Sequence, residues 1–398
     1  MLKTIRLSNF KSISDEPILL GNFNVLIGAN AAGKSNFVDA LRFIHDIMSD
    51  GLSSAVGRRI GWENVLTREK EQREKIAAEI FYDLKDMPHK IKIKKKTYKP
   101  LDLKYKLQAN YIMKRLYLNS ESLKARFDCN GAEITENFVR SRRKVEVRSP
   151  ISLGEQTRSL NIPKQLEDKP FLQGGFFCIG SFLLSEFINS WRFYDLDVNA
   201  ARRPCTDESQ AILLDDGHNL ASILDRLRAS SSRTTRERIL KIMSILVPCF
   251  DSWKTARQFD GSLGFKVREK GITKALLPKM LSDGTIRLLS ILLALLYQPS
   301  RAALICIDEP ERYLHPQVLK TLVEIMRDVS KKTQLIVTTH SAELVKWLKP
   351  SEVLMVDKIK NVTHIARAQD VSMVDKFLEE LSLDELWLAG YLNGGKIV

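Results

Sequence analysis

The fold of this chain is decided by the stretch Gly28-Ala29-Asn30-Ala31-Ala32-Gly33-Lys34-Ser35, followed by Asn36. It fits the pattern G-x-x-x-x-G-K-[ST] at every fixed position. A short apolar run at 24–27 precedes it, which predicts a strand, and apolar residues at helical spacing follow it. In a strand–loop–helix unit, backbone N–H groups and the positive helix end face one anion. We therefore predict a phosphate-binding loop, in which Lys34 neutralises the β and γ phosphates of a nucleotide and Ser35 ligates Mg²⁺.

A second apolar run, residues 304–307, ends in two acids, Asp308 and Glu309. At the carboxyl end of a strand, Asp308 can hold Mg²⁺ and Glu309 can polarise an attacking water. The alternative is a buried strand whose end is acidic by chance. Most of the chain separates Lys34 from Asp308, which indicates a large insertion between two halves of one domain.

Three further motifs follow the same order as a known family. Leu281-Ser282-Asp283-Gly284-Thr285 precedes the acidic strand, and Thr339-His340-Ser341 follows a predicted strand at 334–338. Together with the opening stretch at 7–12, this order resembles the RecF and SMC-related branch of ABC ATPases. Asp308-Glu309-Pro310-Glu311 and Leu314-His315-Pro316 narrow the resemblance to AAA family ATPases of the bacterial abortive-infection group, related to the overcoming-lysogenisation-defect enzymes.

The resemblance implies a composite site that binds ATP and Mg²⁺ between two copies of the chain, as a homodimer or a higher homo-oligomer. Lys34, Glu309 and His340 would be catalytic, and Ser35 and Asp308 would hold the metal. Residues 281–285, the signature element, would contact the γ-phosphate bound by the partner copy, chiefly through Ser282 and Gly284. For His340 taken alone, a packed or surface histidine is the competing interpretation.

The chain departs from the family pattern at two positions. Asp283 stands where many signature elements have glycine, and Asp384 stands where the resembling tail, 382–387 with Gly394-Gly395, has glycine. Near the start, Phe10 or Lys11 would touch the adenine or the ribose, or would form a plain strand and turn. Both interpretations of this pair remain open at the level of sequence.

The predicted fold class is α/β: an ABC-ATPase head with a mixed, mostly parallel sheet, an antiparallel basic β insertion and a helical lobe. Residues 1–86 and 276–398 are expected to form the discontinuous core, residues 87–160 the insertion and residues 161–275 the mainly helical lobe. Within the core we predict a helix at 285–297, a strand at 303–307 and a helix at 316–329. Asn130-Gly131 predicts a hairpin turn inside the insertion.

The net charge of +14 is concentrated in the predicted insertion. One cluster comprises Lys85, Lys90, Lys92, Lys94, Lys95, Lys96, Lys99, Lys104, Lys106, Lys114 and Arg115, and a second comprises Arg140, Arg142, Arg143, Lys144 and Arg148. Two interpretations fit: a DNA-binding surface, on which Tyr98, Tyr105, Tyr111 and Tyr117 stack on bases, or a solvated lysine-rich strand face.

Composition excludes several other classes of protein. The longest apolar run, 286–297, is shorter than the ~20 residues that a membrane-spanning helix needs. The first residues lack the apolar core of a signal peptide, so we expect a cytoplasmic protein without a membrane partner. The cysteines form no C-x-x-C pair, which argues against zinc or disulfides and predicts five small buried residues: Cys129, Cys178, Cys205, Cys249 and Cys306.

The resemblance implies the regulatory or sensor subunit of an anti-phage defence system that controls a separately encoded nuclease or toxin. The segment after His340 is too short for a fused nuclease domain, so we expect the effector on another chain. Two alternatives remain: a RecF-like DNA-repair ATPase that binds DNA, and a scaffold that binds ATP without hydrolysing it.

Overall fold

The computed structural model describes residues 1–67, 75–85, 90–93, 96–174, 178–206, 209–370, 374–378 and 380–392. Lys94, Lys95, Gly394 and Gly395 lie outside the described residues. In chain order the described strands are β1 (Leu2–Ser8), β2 (Ile18–Leu19), β3 (Phe23–Ile27), β4 (Lys75–Asp83), β5 (Ile91–Ile93), β6 (Lys96–Ile112), β7 (Arg115–Cys129), β8 (Ala132–Ser141), β9 (Lys144–Ser149), β10 (Gly154–Asn161), β11 (Arg192–Tyr194), β12 (Phe250–Arg257), β13 (Leu263–Glu269), β14 (Leu304–Asp308), β15 (Gln334–Thr338), β16 (Val353–Ile359) and β17 (Val362–Arg367).

The described α-helices are mostly short. In chain order they are α1 (Lys34–Asp50), α2 (Leu52–Gly57), α3 (Ile179–Asn189), α4 (Val198–Ala201), α5 (Leu220–Arg226), α6 (Arg233–Leu246), α7 (Asp283–Leu296), α8 (Pro316–Ser330), α9 (Ala342–Val345), α10 (Val374–Phe377) and α11 (Leu383–Leu388). Contacts divide the chain into two compact units. The first holds the described residues within Met1–Trp191, Pro350–Glu379 and Ala389–Val398, and the second those within Arg192–Lys349 and Glu380–Leu388.

A nine-stranded antiparallel sheet dominates the first unit. Its order is β10-β9-β8-β7-β6-β4-β1-β2, with β5 paired to β6, so the basic strands continue the sheet that begins with β1 and β4. Asn130 and Gly131 both have positive φ, 56° and 86°, and form the predicted tight turn between β7 and β8. This left-handed geometry suits an Asn-Gly pair, because glycine and asparagine adopt it at the lowest cost.

Two charged side chains lie inside this sheet's buried face. Glu121 on β7 and Arg140 on β8 are fully buried, with 3.7 Å between the Arg140 Nη1 and Glu121 Oε2 atoms. The Glu121 carboxylate also accepts a hydrogen bond from the Phe171 backbone N–H at 2.9 Å. Burial raises the pKa of Glu121. Arg140 donates to the carbonyl oxygens of Glu167 and Lys169 and is therefore not part of a basic surface.

The first unit also contains the strand that leads into the phosphate loop. All five residues of β3 are buried, β16 pairs with β3 in parallel, and β17 pairs with β16 antiparallel. Helix α1 buries Phe37, Ala40, Leu41 and Ile44, the residues whose spacing predicted it. The predicted strand–loop–helix order is therefore observed.

The second unit contains three parallel strands, β11, β14 and β15, in that order. Helices α7 and α8 and strand β15 fall where the sequence predicted them, and α8 begins at Pro316.

Residues 161–275, which the sequence predicted to be mainly helical, contribute helices α3 to α6. They also contribute an antiparallel pair, β12 and β13, that the sequence analysis did not predict. The signal was present: Asp260-Gly261 lies between two alternating runs.

Two further predictions concern the burial of the cysteines and membrane-spanning helices. Cys249 is exposed, because it lies in the short connection between α6 and β12, whereas the other four cysteines are buried as expected. Over the part of the chain that the structure describes, no helix combines the length and the apolar character that crossing a bilayer requires.

Candidate functional site

The phosphate loop, residues 28–35, has a shape that its two glycines make possible. Gly28 directly follows β3 with φ 153°, and a Cβ there would lie 2.1 Å from the Val356 carbonyl oxygen. Gly33 has φ 114°, and a Cβ there would lie 2.2 Å from Thr363 Oγ1. Both distances are far below van der Waals contact, so a side chain at either position would force the loop to move.

Lys34 is the first residue of α1, and its side chain folds back over the loop. Its Nζ donates to the carbonyl oxygens of Gly28 at 2.8 Å and Ala29 at 3.1 Å, and the residue is buried. Ser35 and Asn36 complete the first helical turn, and Asn36 Nδ2 donates to Ser12 Oγ at 2.7 Å. The first N–H groups of an α-helix lie ahead of its i→i−4 hydrogen bonds and point towards the N-terminus, and this arrangement suits an anion.

Thr363 on β17 supports the loop, and the sequence analysis did not identify it. Its hydroxyl donates to the Ala32 carbonyl oxygen at 2.8 Å and forms a second hydrogen bond with Ser12 Oγ at 2.7 Å. The residue is fully buried. A single threonine far from the loop in sequence carries no local signal, so only the fold could reveal this role.

Phe10 and Lys11 lie in a β-bridge and a turn directly after β1. Phe10 is fully buried and packs on Phe43, with 5.3 Å between the ring centroids. Lys11 Nζ forms an ion pair with Asp39 Oδ2 on α1 at 2.8 Å. Both side chains therefore have structural partners on α1.

Asp308, Glu309 and His340 meet at the carboxyl edge of β14 and β15. Asp308 pairs with Thr338 across the parallel strands, and the Thr338 hydroxyl donates to the Asp308 carboxylate. The Glu309 N–H donates to the Thr338 carbonyl oxygen at 3.1 Å. Glu309 Oε1 lies 4.0 Å from His340 Nε2. The three predicted residues of the second unit thus form one cluster.

Glu311 holds the histidine segment, a role that the sequence analysis did not assign. Its Oε1 accepts hydrogen bonds from Thr339 Oγ1 at 2.7 Å and from the His340 N–H at 3.1 Å. Burial raises the pKa of Glu311, and the nearby Glu309 charge acts in the same direction. The motif Asp308-Glu309-Pro310-Glu311 therefore contains one acid whose bonds fix the neighbouring loop.

The signature element begins helix α7. Ser282 is the N-cap, and its Oγ accepts a hydrogen bond from the Thr285 N–H at 3.1 Å. At Gly284 a Cβ would lie 2.7 Å from the Tyr313 carbonyl oxygen, so glycine allows α7 to approach the segment after Glu309. Arg202 donates to the Leu281 carbonyl oxygen and pairs with Asp283, each at 2.7 Å. The unusual aspartate at 283 therefore has a structural partner.

Arg287 links α7 to the two acids. Its Nη2 donates to the carbonyl oxygens of Asp308 at 2.9 Å and Glu309 at 2.7 Å. The arginine is almost completely buried. Arg287 therefore connects α7, which starts at the signature element, to the backbone of both acids.

The chemistry of the candidate metal ligands fits a nucleotide-bound Mg²⁺. Mg²⁺ is usually held by one or two protein oxygens together with phosphate oxygens and water. Ser35 and Asp308 supply a hydroxyl and a carboxylate of this kind. In the described ranges, no group of three or more His, Cys, Asp or Glu side chains could hold a metal ion.

In the predicted basic surface, not all of the tyrosines lie where they could stack on bases. Tyr98 and Tyr105 are buried inside the sheet and cannot stack on bases. Tyr117 is partly exposed, and the Arg142 guanidinium lies over its ring at 5.3 Å from the centroid. The interpretation that used all four tyrosines as a stacking platform is therefore wrong for two of them.

Comparison with known proteins identifies the family. The family model described as "AAA domain, putative AbiEii toxin, Type IV TA system" matches residues 23–346, which include the phosphate loop, the signature element, both acids and His340. The chain belongs to this AAA domain family. The predicted relationship to AAA ATPases of the abortive-infection group is thereby confirmed. No curated protein matches the chain.

Solved structures show the fold of this AAA domain protein. An SMC head bound to the C-winged helix domain of ScpA is 14% identical with a TM-score of 0.56, covering 96% of this chain and 99% of that chain. An SMC head domain with an extended coiled coil, bound to the C-terminal domain of ScpA and derived from Pyrococcus furiosus, is 12% identical with a TM-score of 0.55, covering 95% and 99%. The predicted ABC-ATPase head fold is thereby confirmed.

Proposed function

We propose that this protein hydrolyses ATP with Mg²⁺ and that two copies, or a higher homo-oligomer, close on the nucleotide. The observation that carries the proposal is the phosphate loop, in which Gly28 and Gly33 admit no side chain and the Lys34 ammonium group lies against the loop carbonyls. A buried lysine held at a helix N-terminus is suited to a triphosphate, because both contribute positive potential to the same place.

Each predicted residue has a role in this proposal. The N–H groups of residues 28–36 bind phosphate oxygens, and Lys34 neutralises the β and γ phosphates. Ser35 and Asp308 would hold Mg²⁺, which would supply positive charge beside the phosphates. Glu309 orients the attacking water and accepts its proton, while His340 stabilises the charge on the γ-phosphate.

The signature element is proposed to act on the nucleotide of the partner copy. Ser282 and Gly284 lie at the start of α7, a helix of 14 residues whose positive end suits a phosphate. A γ-phosphate contacted by two copies acts as a bridge between them, and hydrolysis removes the bridge. ATP binding and hydrolysis would then close and open the dimer.

The biological role that we propose is regulation of a separate effector in a bacterial anti-phage defence system. The description of the family, which names a putative toxin of a type IV toxin–antitoxin system, supports a place in such systems. The effector would be a separately encoded nuclease or toxin. Duplex DNA is a second partner to test, through the exposed cations of the β insertion.

The Glu309→Gln variant tests the ATPase proposal. The amide cannot accept the water's proton, so we expect turnover to fall at least ~100-fold and an ATP-bound dimer to accumulate at saturating ATP and Mg²⁺. Light scattering coupled to size-exclusion chromatography measures the dimer, and phosphate release measures turnover. Glu237→Gln, the same change at an exposed glutamate paired with Arg233 on α6, is the matched control.

The outcomes separate the alternatives. A Glu309→Gln protein that stays monomeric with ATP and Mg²⁺ contradicts the proposed dimer. Absence of turnover in the unaltered protein, with and without DNA, favours a scaffold that only binds ATP. Turnover stimulated by DNA, without an effector gene nearby, favours a repair ATPase of the RecF type. A nuclease or toxin gene beside this one supports the defence role.

A further inference from the structure

The proposed catalytic glutamate forms an ion pair with a residue three positions further along the chain. Glu309 has φ 40°, a left-handed conformation that is uncommon for a residue with a side chain. The Arg312 N–H donates to the Glu309 carbonyl oxygen at 3.2 Å, which closes a tight turn. This turn brings Arg312 Nε to 2.6 Å from Glu309 Oε2. The pairing is therefore a consequence of the backbone geometry.

The turn itself is firmly held, whereas the arginine side chain is not buried. Arg287 donates to the Glu309 carbonyl oxygen, and Glu311 is bonded to Thr339 and to the His340 N–H. The Arg312 side chain is 51% exposed, compared with 21% for Glu309. The guanidinium can therefore leave its position while the backbone of the turn stays in place.

The ion pair conflicts with the task proposed for Glu309. A carboxylate that orients water must direct a lone pair at it, and here Oε2 accepts a charge-assisted hydrogen bond from Arg312. The other oxygen, Oε1, faces His340 at 4.0 Å. Half-exposed ion pairs contribute little to stability, so the loss of this pair should leave the fold intact.

We propose that Arg312 restrains Glu309 and thereby limits the rate at which Glu309 activates water. This inference rests on the proposed function, in which Glu309 acts on water. Arg312 is a positioning residue that works through Glu309. Activation of water is slowed, because a carboxylate that is paired with the guanidinium is less available to the water.

Replacement of Arg312 tests the restraint. We expect Arg312→Ala to raise kcat about three-fold, roughly the factor that one half-exposed ion pair is worth, with an unchanged KM for ATP. Arg312→Lys, which keeps the charge but loses the planar guanidinium, should restore part of the restraint. Arg238→Ala removes a comparably exposed ion pair, with Asp328, and should leave kcat unchanged. An unchanged or lower kcat in Arg312→Ala overturns the proposal.

Two further measurements keep the result interpretable. Binding of a fluorescent ATP analogue to Arg312→Ala should match the unaltered protein, because the arginine acts on Glu309; a large loss of affinity would contradict the restraint. The double variant Glu309→Gln with Arg312→Ala should turn over ATP no faster than Glu309→Gln, and a faster double variant would also contradict it. Failure of the proposed function looks different: Glu309→Gln alone would then turn over ATP at the unaltered rate.

Discussion

Single residues fix the phosphate loop through contacts that leave no space for a side chain. A Cβ at Gly33 would collide with Thr363, whose hydroxyl donates to the Ala32 carbonyl oxygen and forms a second hydrogen bond with Ser12 Oγ. The conformation of the loop at Gly33 therefore depends on Thr363, a residue near the other end of the chain. Sequence predicts the glycine from its motif, but its neighbour follows only from the position of β17.

The Gly33→Ala variant measures this contact. The new Cβ would meet Thr363 Oγ1 at 2.2 Å in a backbone with φ 114°, so we expect a loss of about 1–3 kcal/mol in unfolding free energy. Nucleotide affinity should also fall at least ~10-fold, which is about 1.4 kcal/mol of binding free energy, because a displaced loop no longer directs its N–H groups at the phosphates. Denaturant unfolding and fluorescent nucleotide binding are the measurements. Gly57→Ala, with no neighbour within 4 Å of a Cβ, should remain close to unaltered in both.

Helix α7 carries both the signature element and a residue that contacts the acids. Its first turn is the signature element, and its second turn carries Arg287, which donates to the carbonyl oxygens of both acids. Gly284 brings the helix close to the Tyr313 carbonyl oxygen, just beyond the Glu309 turn. We therefore expect α7 to couple binding at the signature element to the position of the acids in the same copy.

The Gly284→Ala variant tests this packing. A Cβ at this position would meet the Tyr313 backbone at 2.7 Å, so either α7 or the acid segment must move. We expect ATP turnover to fall at least ~10-fold and stability to fall by about 1–3 kcal/mol. Gly264→Ala is the matched control, because its Cβ would meet only the flexible Gln258 side chain, also at 2.7 Å. Equal turnover in the two variants would contradict the coupling.

Across the whole molecule, the net charge of +14 overstates how basic the β insertion is. Lys104 and Lys106 both pair with Glu79, at 2.5 Å and 3.1 Å. Arg126 forms ion pairs with Asp102 and Glu133, and Lys144 pairs with Glu146. Lys104 and Lys124 lie directly opposite each other on β6 and β7, however, and this places two like charges side by side.

The Glu79→Gln variant tests whether this face binds polyanions. Removal of the acid frees Lys104 and Lys106 from their ion pairs with Glu79, so we expect non-specific duplex DNA to bind about 3-fold more tightly at low salt. The affinity should also fall more steeply with salt concentration, by the equivalent of about one additional phosphate contact. Fluorescence anisotropy over a salt series measures both quantities. Glu237→Gln changes the net charge equally on α6 and should have no effect. The same affinity for both variants would exclude this face as a DNA site.

Much of the fold followed from local patterns. Strand β15, the start of α8 at Pro316 and the hairpin at Asn130-Gly131 were predicted closely, because periodicity, proline and turn residues act over a few positions. The β12–β13 pair was missed although Asp260-Gly261 marked its turn. The burial of Tyr105 and Arg140 was also missed, since alternation does not say which face of a strand the core will cover.

The sequence by itself determined the chemistry available to this protein: the phosphate loop, the acids Asp308 and Glu309, His340 and the signature element, because each is a contiguous motif with its own local geometry. Only the tertiary structure decided the partners that control them. Thr363 supports the loop, Arg287 holds the acids, Glu311 fixes the histidine segment and Arg312 pairs with Glu309. The reason is that hydrogen bonds between distant segments depend on how strands pair and helices pack, which a linear pattern does not encode.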